Sequence, residues 1–248
     1  MIINRIKNSY KLNLMIQLIK DFKIMIITYL PGKAGQILRY NYYKKQLKYL
    51  GMNVTFEPGV FILNPVNVSI DDNTWIDKYV ILLAGKPFEG ERIIYKKNNL
   101  NYNGMIGELT IGKNSHIAPY VLISAHGGVK IGNNLTLASG VKLYSFSHHY
   151  RDLSNPNSNI NYKFSSRVPE NEQALILSPV VLEDNCAVGL NSVVLPGVTI
   201  GENSWVGVSS VVSHDIPKDV IVSGNPAKPI KNRFLEKNQF LNPFRTFE

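Results

Sequence analysis

The sequence predicts an all-β fold, a parallel β-helix of six-residue repeats with an N-terminal helical segment and a short C-terminal tail. One observation is a run of aliphatic residues at every sixth position: Leu182, Val188, Val194, Ile200, Val206 and Val212. A second is the small or β-branched residue four places after each of the first five: Cys186, Ser192, Val198, Ser204 and Ser210. A period of six fits neither an α-helix nor a half-buried strand, and it suits a triangular coil with three short strands per turn.

The same pattern occurs earlier in the chain, which extends the predicted coil toward the N-terminus. Aliphatic residues recur at Ile111, Ile117, Ile123, Ile131, Leu137 and Leu143, and a fainter series begins at Val54, Val60, Ile70 and Ile76. The step from Ile123 to Ile131 is eight, so two extra residues within 125–128 are expected to bulge one corner. Gly and Asn in turns such as Ile-Gly-Lys-Asn tolerate the backbone angles that tight corners need. Periodicity alone leaves the hand of the coil open.

The stretches around the repeats divide the chain into three parts. Residues 1–52 form a basic segment that is predicted to be helical, and Pro31-Gly32 separates a Leu/Ile-rich stretch from a second helix over residues 36–50. Residues 53–224 carry the repeats, interrupted by polar insertions at 85–108 and 146–178, and residues 225–248 form the tail. Loops of this length in a compact scaffold are often functional, so we expect the insertions to select the substrate.

The charge balance indicates an anionic partner. The net charge is +9, with the basic residues concentrated in the first fifty positions and in the tail. The sequence lacks the motifs typical of nucleic-acid binding, which leaves a membrane surface or a phosphorylated small molecule. Lys20, Asp21 and Lys23 interrupt the apolar N-terminal stretch, so an interfacial helix or a helix packed on the protein's own core is favoured over a spanning one. The single cysteine, Cys186, is typical of a reducing, cytoplasmic compartment.

The most specific stretch is VVLEDNCAVGLNSVVLPGVTIGENSWVGVSSVVSHDIPKDVIVSGNPAKPI, with its "LPGVTIG" coil, "DIP" exit and "GNPAK" turn. With these motifs the chain resembles the hexapeptide-repeat acyltransferases, in particular the galactoside, maltose and polysaccharide O-acetyltransferases. The resemblance is strong over about residues 107–233 and weaker over 25–106. It implies a left-handed coil, a homotrimer with active sites between neighbouring copies, and transfer of acetyl from acetyl-CoA to a sugar hydroxyl.

The resemblance also implies a histidine that opens the long loop leaving the coil and acts as general base. Here that loop begins SFSHHYRDLS, which places the base at His148 and puts His149 where the family has an aspartate. Imidazole, with a pKa near 6.5, can accept the proton of a sugar hydroxyl as that hydroxyl attacks the thioester. The sequence leaves open which histidine points into the cleft, and whether Asp152, Glu170, Glu172 or a backbone carbonyl orients it.

Coenzyme A is expected, again from the resemblance, to lie along the final turns of the coil. The residues implied as its contacts are Gly189, Val208, Ser209, Ser213, His214, Lys228 and Lys231. The family commonly has Thr-Lys where this chain has Ser213-His214. The positive charge expected at the second of these positions is therefore weaker here. The family's small residue after Trp-Ile-Gly falls on Leu190, so we expect an acyl pocket of different shape.

Three other functions compete with this one. The nearest is N-acetyl transfer to an amino sugar, although the sequence lacks the glycine-rich strand-turn-helix of the nucleotide-binding domain that often accompanies it. A non-catalytic β-helix scaffold has little need of a histidine-bearing loop. A zinc site like that of the γ-class carbonic anhydrases needs two histidines five apart, and no such pair occurs. The resemblance therefore implies a cytoplasmic O-acetyltransferase of surface polysaccharide assembly without a metal or nucleic-acid partner. Contact with the inner membrane face or with a lipid-linked glycan is a further hypothesis.

Overall fold

A parallel β-helix follows two N-terminal helices in this protein. The computed structural model describes residues 2–86, 93–95, 99–152, 155, 157 and 159–234. The helices are α1 (Ile2–Tyr29) and α2 (Gly32–Lys44). The strands are β1 (Tyr49–Leu50), β2 (Thr55–Phe56), β3 (Phe61–Leu63), β4 (Val68–Ile70), β5 (Trp75–Ile76), β6 (Ile81–Leu83), β7 (Ile93–Tyr95), β8 (Leu109–Ile111), β9 (His116–Ile117), β10 (Leu122–Ser124), β11 (Val129–Ile131), β12 (Thr136–Leu137), β13 (Lys142–Tyr144), β14 (Phe146–His149), β15 (Ala174–Leu177), β16 (Val180–Leu182), β17 (Ala187–Val188), β18 (Val193–Val194), β19 (Thr199–Ile200), β20 (Trp205–Val206), β21 (Val211–Val212), β22 (Val220–Gly224) and β23 (Ala227–Asn232).

Each of the three faces of the coil is a sheet whose strands come from successive turns. The first face has the order β1-β4-β8-β11-β16-β19, the second β2-β5-β9-β12-β17-β20-β22-β23, and the third β3-β6-β10-β13-β18-β21. All neighbours are parallel except β22 and β23, which form an antiparallel pair at the end of the second face. In the last turns Val181 pairs with Thr199, eighteen residues later, which is three six-residue repeats.

The interior of the coil is filled by the aliphatic residues of the repeat. Those of the C-terminal block are at most 1% exposed: Leu182, Val188, Val194, Ile200, Val206 and Val212. The residues four places after each aliphatic one are also buried, because they sit where the chain turns tightly between faces. The coil predicted from the six-residue period is therefore confirmed, with the inward positions as expected.

Asparagines stabilise the corner between the first and second faces. Asn73, Asn114 and Asn134 each adopt a positive φ of 55–56°, a left-handed conformation that asparagine tolerates better than most residues. Their side chains bond to one another from turn to turn, at 3.2 Å for Asn73 to Asn114 and 3.0 Å for Asn114 to Asn134. The ladder starts at Asn53 and reaches Asn185, so each turn is tied to the next at this corner.

The second helix closes the N-terminal end of the coil and is shorter than the sequence predicts. It ends at Lys44, not at residue 50, because Tyr49 and Leu50 pair with Ser69 and Ile70 on the first face. Arg39 of α2 is buried and bonds to backbone oxygens of both the coil and the end of α1. Every side chain of residues 12–26 in α1 is exposed. Among the described residues, no helix combines the length and apolar character that crossing a membrane requires.

Candidate active site

A cleft of about 510 Å³ lies on the outer side of the third face. Its floor is formed by side chains of strands β6, β10, β13 and β18, and the start of the insertion at 146–178 forms one wall. The lining residues are Leu83, Leu122, Ser124, His126, Tyr144, Phe146, Ser147, His148, Val193, Leu195 and Pro196. Apolar walls with a few polar groups are typical of a small-molecule site, and here the titratable lining groups are a tyrosine and two histidines.

His148 enters the cleft from strand β14. This strand leaves the third face and pairs antiparallel with β15, so that His148 lies opposite Leu175 and His149 opposite Ala174. The Nδ1 atom of His148 is buried and makes no hydrogen bond with the residues that the structure describes. Glu172, one of the carboxylates considered as its orienting group, forms an ion pair with Lys163, 2.5 Å away.

His149 has a different environment from its neighbour. It is not among the residues that line the cleft. Its Nδ1 lies 2.8 Å from the carbonyl oxygen of Arg151, and its ring stacks on Tyr150 with centroids 4.5 Å apart. Of the adjacent pair, the geometry therefore favours His148 as the residue that meets a substrate.

The structure brings a second histidine, His126, into the cleft. Its Nδ1 lies 2.8 Å from the carbonyl oxygen of Gly85, and its ring meets that of Phe146 edge-on at 5.7 Å. Sequence reasoning assigned this residue only to the bulge between Ile123 and Ile131. The signal that marks it is that bulge itself, because a break in a regular coil is where a side chain can be redirected.

The backbone around His126 is held by close packing. Gly127 donates its N–H to Ser145 Oγ at 2.8 Å, and a Cβ on this glycine would lie 2.2 Å from the Ser145 carbonyl oxygen. Ala125 donates to the carbonyl of Leu83 at 2.7 Å, which joins the bulge to the preceding turn. The two glycines after His126 therefore permit an approach that no larger residue allows.

Five of the seven residues predicted to contact coenzyme A lie at the two edges of the last two strands of the third face, β18 and β21. Ser213 and His214 directly follow β21, and Leu195 of the cleft donates its backbone N–H to Val212 at 3.0 Å. At the opposite edge, Val208 and Ser209 are exposed in the turn before β21. Gly189 lies beneath that turn, since a Cβ there would be 2.7 Å from the Val208 nitrogen. These five predicted residues therefore flank β18 and β21, and β18 contributes Val193 to the floor of the cleft.

The two lysines predicted to contact coenzyme A, Lys228 and Lys231, are elsewhere. Lys228 and Lys231 are exposed on β23, opposite Ser223 and Ile221 of the second face. The structure thus separates them from His214, which follows the third face. Leu190, which falls where the resemblance implies a small residue of the acyl pocket, is 49% exposed beside the same turn as Val208.

Two other chemistries find little support in the geometry. The Cys186 thiol lies at an inward corner, where burial raises its pKa to about 11, so it is a poor nucleophile. Within the described part of the chain, no three His, Cys, Asp or Glu side chains are grouped to hold a metal ion.

Comparison with known proteins agrees with the fold and the repeat. The family model described as the hexapeptide repeat of succinyl-transferase matches residues 179–223. The chain is 27% identical to dTDP-4-amino-4,6-dideoxy-D-glucose acyltransferase of Escherichia coli, over 75% of this chain and 82% of that protein. It is 26% identical to galactoside O-acetyltransferase of Escherichia coli K12, over 60% and 80% of the two chains. A match of 37% identity to a Schizosaccharomyces pombe protein named among the acetyltransferases covers 42% of each chain.

A solved structure supports the same fold. AntD, an N-acyltransferase from Bacillus cereus in complex with dTDP and 3-hydroxybutyryl-CoA, is 23% identical, with a TM-score of 0.62 over 79% of this chain and 88% of that one. The left-handed parallel β-helix with N-terminal helices, predicted from the sequence, is confirmed. The resemblance to the hexapeptide-repeat acyltransferases is therefore confirmed.

Proposed function

We propose that this protein is an O-acetyltransferase that moves acetyl from acetyl-CoA to a sugar hydroxyl in surface polysaccharide assembly. The observation that carries the proposal is the position of His148 in a cleft that adjoins the last turns of the coil. The acceptor hydroxyl attacks the thioester carbonyl and gives its proton to His148. The resulting oxyanion is stabilised by backbone N–H groups of the coil, and the thiolate of coenzyme A leaves with the proton from the imidazolium.

The test is release of coenzyme A from acetyl-CoA in the presence of a panel of acceptor sugars. Replacing His148 with Ala should lower turnover by about 10²- to 10⁴-fold, because general-base catalysis contributes about that much. Binding of coenzyme A, measured by calorimetry, should stay unchanged. An unchanged rate in H148A would contradict the role of His148, and a wild-type protein inactive with every acceptor would favour a non-catalytic scaffold.

A second candidate is N-acyl transfer to an amino sugar. It is favoured by the match to the dTDP-amino-sugar acyltransferase, which covers 82% of that protein. The same cleft and base could serve, because an ammonium must also lose a proton before it attacks. The acceptor panel should therefore include amino sugars and nucleotide-linked amino sugars. The class of acceptor with the higher kcat/KM decides between O-acetyl and N-acyl transfer.

Assembly and location are further parts of the proposal. Three copies would place the cleft of one beside the coil of the next, and sedimentation equilibrium would give three times the chain mass of 27.9 kDa. The protein would act at the inner membrane face, where the exposed apolar residues of α1 and its Lys20 and Lys23 meet anionic lipid. Changing Leu18, Ile19 and Phe22 to Ser should reduce flotation with anionic liposomes. Equal flotation of the two proteins would exclude that contact.

A further inference from the structure

The hydrogen bond of His126 fixes the proton on its ring. A backbone carbonyl can only accept, so the nitrogen 2.8 Å from the Gly85 oxygen must carry the hydrogen. In the neutral imidazole the other nitrogen, Nε2, is then a hydrogen-bond acceptor. His148 differs, because its Nδ1 is buried without a partner among the described residues. The cleft thus holds one imidazole with a defined tautomer and one without.

The two imidazoles are placed to contact a single small molecule. Both line the same cleft, and both meet the ring of Phe146 edge-on, with centroid distances of 5.7 Å for His126 and 6.1 Å for His148. His126 is half-buried in a bulge whose backbone is bonded to the turns on either side. Its ring is therefore held in place before a ligand arrives, which lowers the entropy lost on binding.

We propose that Nε2 of His126 accepts a hydrogen bond from a second donor group of the acceptor, while His148 serves the group that reacts. This inference rests on the proposed function. It defines the acceptor class as a ring with a donor beside its reacting group, either two hydroxyls or a hydroxyl and an amino group. An acceptor with one isolated hydroxyl would leave Nε2 unpaired in a largely apolar cleft and would be used poorly.

The matched variants are His126→Asn and His126→Gln. The Asn amide can still donate to the Gly85 oxygen but has no atom at the position of Nε2, whereas the Gln amide oxygen can reach that position. We expect H126N to lower kcat/KM for the acceptor about tenfold or more, the usual cost of a lost bond to a buried group. H126Q should recover part of that loss. The KM for acetyl-CoA and the melting temperature of H126N should match the wild type.

Deoxy acceptors separate acceptor binding from a structural effect. With the wild type, the kcat/KM for one deoxy analogue should be about tenfold or more below that for the full acceptor. With H126N, removing the same hydroxyl should lower kcat/KM little further, because both changes remove the same hydrogen bond. The inference would be overturned if the effects of H126N and of the deoxy acceptor on kcat/KM multiplied. It would also be overturned if H126N left kcat/KM unchanged or raised the KM for acetyl-CoA. Wild-type protein that transfers no acyl group would instead overturn the proposed function and this inference with it.

The tautomer can be tested without any substrate. Two-bond ¹⁵N–¹H spectra of the full chain, with His126 assigned by its absence in H126N, should show a protonated Nδ1 and a bare Nε2 at a pH where the ring is neutral. Addition of the acceptor should shift the Nε2 resonance of His126. The opposite tautomer, or no shift at saturating acceptor, would contradict the proposed contact.

Discussion

Gly127 donates its backbone N–H to the hydroxyl oxygen of Ser145, 2.8 Å away, in the bulge that carries His126. The same hydroxyl donates to the carbonyl of Ser124 at 2.6 Å, and Ser145 is fully buried. One side chain therefore satisfies a donor and an acceptor on two segments of backbone next to the cleft. The position of His126 depends on this link, since a buried amide without a partner is costly.

Replacing Ser145 with Ala should weaken both the fold and the cleft. The change leaves the buried Gly127 N–H and the Ser124 carbonyl without that partner, so we expect the free energy of unfolding to fall by about 1–3 kcal/mol. Chemical denaturation measures this. The control is Ser165→Ala, because Ser165 is exposed and water can replace its bond to the Arg167 amide. Equal stability of S145A and wild type would show that the bulge does not rely on this hydroxyl.

The sequence predicted the coil well because its determinants are local and repeated. Each six-residue unit supplies its own inward residue and its own corner, so burial of Val188 or Val206 follows from the period alone. The end of α2 could not be predicted in this way. It is set by the pairing of Tyr49 with Ser69, a contact between segments that no helix propensity describes.

The candidate site was predicted in part for the same reason. His148 was identified from its place at the start of a long insertion, where a resemblance could be applied residue by residue. The arrangement at His126 depends on the Gly85 carbonyl, 41 residues earlier, and on the glycines that let the bulge pack. Such a contact between turns has no counterpart in a linear pattern.

The ion pair of Lys48 and Glu108 should make stability depend on pH. The hydrogen bond from Lys48, with a second from the Met105 amide, holds the pKa of Glu108 below its usual value. A carboxyl group whose pKa is lower in the folded state stabilises the fold at pH values above its unfolded-state pKa of about 4.3. That stabilisation is lost as the pH falls through the folded-state pKa. Glu108→Gln should therefore lower the melting temperature at pH 7 and flatten its fall below about pH 4.3. The control is Glu202→Gln, a change at an exposed carboxylate. Parallel curves of melting temperature against pH for E108Q and wild type would contradict the role of this ion pair.

Arg39 should be the residue that fixes the helices to the coil. Its Nε donates to the Phe56 carbonyl at 2.8 Å, and its Nη1 donates to the carbonyls of Ile27 at 3.1 Å and Leu30 at 2.8 Å. Arg39→Met leaves these acceptors unpaired, so we expect a loss of about 3 kcal/mol in unfolding free energy. Hydrogen exchange should rise first at the end of α1. Lys33→Met, a change at an exposed cation on the same helix, should have little effect, and equal losses in the two variants would refute this role.

Cys186 should accept serine without a large loss of stability. Its sulfur lies 3.0 Å from the Gly201 carbonyl, one turn on. Ser192 and Ser204 occupy the same place in their repeats and donate to carbonyls of the next turn at 2.9 and 2.6 Å. Cys186→Ser should therefore change the unfolding free energy by about 1 kcal/mol or less, whereas Cys186→Leu should overpack the corner and cost about 1–3 kcal/mol. Similar losses in C186S and C186L would mean that the corner does not accept a hydroxyl.

The adjacent histidines of β14 should differ sharply in kinetics. His149 bonds to the Arg151 carbonyl and stacks on Tyr150 away from the cleft, so its imidazole is not available to the reacting group. His149→Ala should keep kcat within about fivefold of wild type, while His148→Ala falls by about 10²- to 10⁴-fold. The pH profile of kcat/KM distinguishes catalysis from disturbance of the loop. The H149A profile should keep the acidic limb of the wild type, which is the fall in kcat/KM at low pH, because the proton acceptor is still present. If H149A lost that limb and H148A kept it, the base would be His149, and the loop must then rearrange to bring that ring into the cleft.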